Sequence, residues 1–154
     1  MKILLIKFVF LIIVSLVSLT ACSNNNDDGL ITNDTRTQIE GHVKELSWRI
    51  TKYIDSGNNE INHFTGYNFT FGANNILTAT NGTNTYIGTW SITDSNSNDD
   101  SQDDLDFNVF FASSPDFEEL SDDWHFISQT STKIELIDVS GGNGGTDYLT
   151  FEKN

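Results

Sequence analysis

Cysteine is nearly absent from this 154-residue chain: Cys22 is the single example. No intrachain disulfide can form, so an exported domain of this sequence must be held together by burial rather than by cross-links. No second thiol is left for nucleophilic work. Basic residues are scarce as well, eight Lys and Arg against 22 Asp and Glu, for a net charge of −14. A surface this acidic repels polyanions, which excludes nucleic acid and leaves no electrostatic attraction to anionic lipid. Long apolar runs are missing beyond residue 17, and no Gly-x-Ser-x-Gly, His-Glu-x-x-His or phosphate-binding loop occurs. The expectation is a protein that is not an enzyme.

The N-terminus is different in kind. Lys2 and Lys7 frame the start, residues 8–17 are apolar, and small residues follow. A membrane-spanning helix needs about 20 apolar residues, and Ser15, Ser18 and Thr20 interrupt this one early. Leu19-Thr20-Ala21-Cys22 resembles the lipobox of bacterial lipoproteins. That resemblance implies cleavage before Cys22, a diacylglycerol on its thiol and an acyl chain such as palmitate on the new amine. Several chains at about 0.8 kcal/mol per buried CH₂ make a lasting anchor, where a single chain holds only marginally. The expected organisation is therefore a signal peptide over 1–21, a lipidated Cys22 with an Asn/Asp/Ser/Gly tether over 22–34, and a β domain over 35–154. Discarding Lys2 and Lys7 with the signal takes the charge to about −16. The expected location is the cell envelope, anchored through Cys22 to the outer membrane. Asp27-Asp28 is similar to the acidic surface-export signals of some double-membraned bacteria.

The remaining 130 or so residues suit one domain. Ile39, Val43 and Leu46 sit at helical spacing and predict a short helix or irregular lead-in over 35–46, with Gly41 in its middle. Beyond it the apolar period becomes two. The alternation predicts strands at 47–54, 67–71, 76–80, 85–93, 105–111, 124–129, 133–139 and 148–152. Turn-forming Asn, Asp, Ser and Gly separate them, as at 55–59, 72–75, 81–84, 94–104 and 140–146. Short connections between successive strands favour an antiparallel meander that closes into a barrel, with a two-sheet β-sandwich as the alternative.

The quoted strands also resemble the lipocalin-like domains of small extracytoplasmic bacterial lipoproteins, from about Leu46 to Asn154. The features that carry the resemblance are Ser47-Trp48, residues 66–71, Gly88-Thr89-Trp90, residues 117–124, Ile134-Glu135-Leu136 and Leu149-Thr150-Phe151. It implies an eight-stranded barrel and a binding or interaction role without a defined activity.

Trp48, Ile50, Tyr67, Phe69, Phe71, Trp90, Phe107, Phe111, Trp124, Phe126, Leu136 and Phe151 share the parity of inward positions. Two readings of them stay open. Their rings fill the barrel, or Trp48, Phe69, Phe71, Trp90, Phe107 and Trp124 line a cavity for a small apolar ligand. For metals, Asp94, Asn96 and Asn98 match the first three positions of a calcium loop, with Asp100 nearby. The match then fails, because Asp99 stands where a glycine belongs and Leu105 where a glutamate belongs, so a solvated hairpin loop is preferred over Ca²⁺. Glycines 141, 142, 144 and 145 with Asp147 form one imperfect copy of a calcium nonapeptide and read as a connection. His42, His63 and His125 and the pairs Glu118-Glu119 and Asp122-Asp123 are the titratable candidates for catalysis, and none has a nucleophile motif beside it. His125 should point outward, and the acidic pairs read as a solvated helical turn.

Overall fold

The computed structural model of the chain describes residues 33–94, 105–140 and 145–154. Cys22 and its lipobox, most of the tether, Asn96, Asn98, Asp100 and the first four residues of 141–147 lie outside the described residues. The elements run α1 (Asn33–Lys44), β1 (Trp48–Asp55), β2 (Asn58–Asn59), β3 (Asn68–Phe71), β4 (Ile76–Thr80), β5 (Thr85–Asp94), β6 (Leu105–Phe111), α2 (Pro115–Glu118), β7 (Asp122–Gln129), β8 (Lys133–Val139) and β9 (Thr146–Lys153). Every pairing is antiparallel and, from β3 to β9, each strand pairs with the next. β1 then pairs with β9 from Trp48↔Lys153 to Ile54↔Tyr148, and with β3 through Trp48↔Phe69. The result is a closed eight-stranded barrel with β2 as an extra strand on β1, which decides against the open sandwich.

Strict alternation along β1 would aim Trp48, Ile50 and Lys52 at the interior. Burying a lysine there without a partner would cost far more than a hydrogen bond returns. The register instead shifts between Ile50 and Lys52 relative to β9, a bulge that turns Lys52 outward and Tyr53 inward. Lys52 then lies over the Tyr148 ring, 4.1 Å from its centre. On the outer face, Arg49, Glu152 and Lys133 form one cross-strand row of alternating sign, and Arg49 reaches Glu152 at 3.1 Å.

Gly88 explains the Gly-x-Trp pattern. It sits on the inner face of β5 opposite Phe111, where an added Cβ would overlap the Phe110 carbonyl oxygen and lie 2.7 Å from the Phe111 ring. Only a residue without a side chain lets β5 and β6 pair there.

The core is a continuous set of rings. Phe71 meets Trp90, Phe107 and Phe151 at centroid separations of 5.4–5.5 Å, and Phe107 continues to Phe126 at 5.7 Å and Phe151 at 6.4 Å, all near edge-to-face. The helices close the ends. α1 buries Ile39 and Val43 completely, while α2 inserts Phe117, whose ring touches Phe64, Tyr67, Phe69, Tyr86 and Phe111. Leu46 departs from expectation. The helix ends at Lys44, the chain turns with a positive φ of 60° at Leu46, and its side chain is left 70% exposed. Asp122-Asp123 departs too: the helical turn is over by then, and the pair opens β7.

Phe107→Ala should cost about 3–5 kcal/mol in urea unfolding because it removes the central ring of this set. Phe110→Ala, three residues later on the outer face, should stay within about 0.5 kcal/mol of wild type.

Candidate functional site

Trp48, Phe69, Phe71, Trp90, Phe107 and Trp124 are all buried. Phe69, Phe71, Trp90 and Phe107 pack ring to ring within the core. The Trp124 ring lies 6.5 Å from Tyr53, and the Trp48 ring lies beneath the Lys153 ammonium at 5.3 Å. The polar atoms of three core aromatics are directed at the lids: Trp48 Nε1 donates to the Val43 carbonyl at 2.9 Å, Trp124 Nε1 to Leu120 at 3.0 Å, and Tyr53 Oη to Glu119 at 2.7 Å. Burial first, and then the charges of Asp55, Glu119, Asp147 and Asp122, push the Tyr53 phenol well above its ordinary pKa, so it stays a donor.

Among the described residues, one surface cleft lies in the barrel wall. β1 and β3 pair at Trp48↔Phe69 and then diverge, because the chain leaves β1 through β2 and returns through the turn Ile61–Phe64 before entering β3. Gly66, with φ of 83°, makes the last bend. The wedge between them is a cleft of about 380 Å³ lined by Arg49, Ile50, Thr51, Ile61, Phe64, Thr65, Gly66, Tyr67, Asn68 and Asn154. Ile50 and Phe64 are buried at its base, while Ile61 and Tyr67 are half-buried on its walls.

Its lower rim is a polar network. Asn154 donates from its backbone to the Ser47 carbonyl at 3.0 Å and from Nδ2 to Ser47 Oγ at 3.1 Å and Asn68 Oδ1 at 2.7 Å. Arg49 donates to Asn154 Oδ1 and the Lys153 carbonyl, both at 3.3 Å. The C-terminal residue thus bolts β1 to β3 where strand pairing fails. Sequence reasoning singled out neither Arg49 nor Asn154, since nothing in their spacing signals a shared site. A smaller cleft, about 240 Å³, is lined by Asn75, Thr89, Trp90, Ser91, Asn108, Val109 and Phe110.

The titratable groups are scattered. His63 stands 3.6 Å from both Glu60 and Glu119. His125 points outward as expected, with Nδ1 2.8 Å from the buried Asp106 carboxylate. Asp94 ends β5 opposite Leu105. Asp147 is structural, its Oδ1 accepting the Ser56 N–H at 2.6 Å. One acidic group escaped sequence reasoning because Asp138 joins the Asp122-Asp123 pair from a different strand: the three each offer an oxygen within 4.8 Å of the others, a partial set of hard ligands for a divalent cation. Burial, then the neighbouring carboxyl groups, pushes Asp122 up to about 6, against an opposing hydrogen bond from the Asp123 N–H.

The folded chain therefore holds the Asp122 proton more tightly than the unfolded chain does. This contribution to stability is present at low pH and is lost as pH rises from about 4 through 6. Asp122→Asn should flatten that slope in urea unfolding and raise stability at pH 7 by about 1 kcal/mol, allowing for solvent screening. An unchanged slope between pH 4 and 7 would assign the loss of stability on raising the pH elsewhere.

No family model matches the chain, and no curated protein matches it. Among solved structures, the chain is similar to a DUF4847 family protein from Bacteroides vulgatus, with a TM-score of 0.49 and 18% identity, over 75% of this chain and 97% of that one.

Proposed function

We propose that the chain is a lipid-anchored, non-catalytic envelope protein whose barrel binds a small amphipathic ligand in the cleft between β1 and β3. The cleft is the observation that carries this reading: an apolar base of Ile50 and Phe64 under a rim held by Arg49, Asn68 and Asn154. The interior is a poorer candidate, because rings already occupy it and α1 and α2 close its ends. An apolar ligand segment would lie against Ile61, Phe64 and Tyr67, and a hydroxyl or carboxylate oxygen would meet Arg49. The anchor is Cys22, by its resemblance to the lipobox, and the proposed site is the outer membrane.

Native mass spectra of the purified protein before and after delipidation test this reading, together with titration of a fluorescent fatty-acid-like probe. A retained mass or saturable probe binding is expected, weakened at least fivefold by Tyr67→Ala. Absence of both removes the cleft as a binding site. Cys22→Ser should move the protein from the membrane to the soluble fraction with its β circular dichroism intact. A variant that stayed membrane-bound would overturn the anchor.

The carboxylates of Asp122, Asp123 and Asp138 favour one other reading, a calcium-stabilised surface protein without a ligand. A cation bound to the native state raises the melting midpoint by mass action. A midpoint unmoved between chelator and millimolar Ca²⁺ rejects that reading.

A further inference from the structure

Charge is unevenly distributed around the barrel. Residues 61–93 contain no Asp, Glu, Lys or Arg, although the whole chain carries 22 acidic and eight basic residues. They build β3, β4 and most of β5, so the outer wall there is made of Thr, Ser, Asn and apolar side chains. Thr70 pairs with Thr78 and Thr78 with Ile87, while Ile76 pairs with Thr89 and Thr89 with Phe110 of β6. Ile76, Ile87 and Phe110 are 45%, 57% and 57% exposed. Thr89 lies between Ile76 and Phe110 and two residues from Ile87, which places the three within a patch about 10 Å by 7 Å. Charge resumes on β6 at Asp106, and the opposite wall carries Arg49, Asp123, Lys133, Glu135 and Glu152.

We propose that this charge-free wall is the side the domain turns toward the bilayer, so that the protein lies against the membrane rather than standing off it. The inference rests on the anchor at Cys22. Ten residues separate Cys22 from the start of α1, and they span at most about 35 Å even fully extended. Every face of the barrel is thus held close to the lipid headgroups at high effective concentration. The acidic parts of the surface gain nothing by approaching an anionic headgroup layer, whereas the neutral wall approaches without electrostatic cost and lays Ile76, Ile87 and Phe110 into the interface. A second copy is the weaker occupant, because a patch of this size falls far short of the roughly 800 Å² per partner of a stable dimer. The patch orients, and the lipid anchors.

The test uses the processed, lipidated protein in vesicles of anionic phosphatidylglycerol mixed with brominated phosphatidylcholine, whose bromines quench tryptophan at shallow depth. Trp48, Trp90 and Trp124 are buried and give a constant background. Ile87→Trp places a reporter on the neutral wall, and Ile127→Trp places one on the outer face of β7, where the native side chain is also 53% exposed. The added fluorescence at position 87 should fall by at least half relative to unbrominated vesicles, and that at position 127 by less than a tenth. Equal quenching at both positions, or stronger quenching at 127, overturns the orientation. Quenching at neither, with a doubled mass in detergent, assigns the wall to a second copy instead. Vesicle flotation reads the anchor separately: wild-type protein that fails to float removes the anchor and the orientation together, whereas flotation with equal quenching removes the orientation alone.

Discussion

Trp48, Trp124 and Tyr53 each carry one polar atom into the largely apolar interior, and all three atoms are satisfied on carbonyls at or just past the ends of the two helices. The last carbonyls of a helix have no partner within it, and a buried indole N–H has no water. Each need meets the other. The barrel therefore fastens its own lids: α1 through Val43 at one end, α2 through Glu119 and Leu120 at the other. With the lids in place Ile39, Val43 and Phe117 are buried, and the chain gains a closed core without a disulfide. Breaking one of these bonds would leave a buried donor and a buried acceptor together, so lids and core stand or fall as a unit.

The strands were legible because a closed barrel wets one face and buries the other, which writes a period of two into the sequence. The ranges 76–80, 105–111 and 133–139 coincide with β4, β6 and β8, β1, β3, β5, β7 and β9 differ by one or two residues at an end, and the two-residue β2 falls within the turn expected at 55–59. What could not be read was every feature that depends on contact between distant segments. The bulge at β1 follows from β9 pairing, although Lys52 standing in an inward register was a visible conflict. Leu46 has the spacing of a third buried helical position, but the turn into Trp48 takes it outside. The cleft is least legible of all, since it exists only because β1 and β3 share one pair and Asn154 bridges the remainder.

Filling the barrel also fixes where recognition can occur. A hollow barrel selects its ligand by shape inside a dry cavity, and its wall is free to be uniformly solvated. A filled one exposes only its wall and its loops, so chemistry must vary around the circumference for the protein to present a distinct face to anything. This wall varies in just that way. The alternating charges of Arg49, Glu152 and Lys133 lie on β1, β9 and β8, and the neutral Thr and Ile rows lie on β3, β4 and β5. The cleft falls at the boundary between the two, where β1 meets β3.

That boundary position gives the cleft its mixed character. Its β1 side supplies the one guanidinium on the rim, Arg49, already occupied by Glu152 and the C-terminal residues. Its β3 side supplies Tyr67 and Asn68, which carry no charge. A ligand of the proposed kind would meet a cation whose charge is partly compensated and an apolar base it can dehydrate, so its selectivity would rest more on fit to Ile50, Phe64 and Tyr67 than on long-range attraction, which a chain of net charge −14 offers only to cations. The same acidity that keeps polyanions away would therefore leave short-range packing in this wedge as the main source of binding free energy for the proposed ligand.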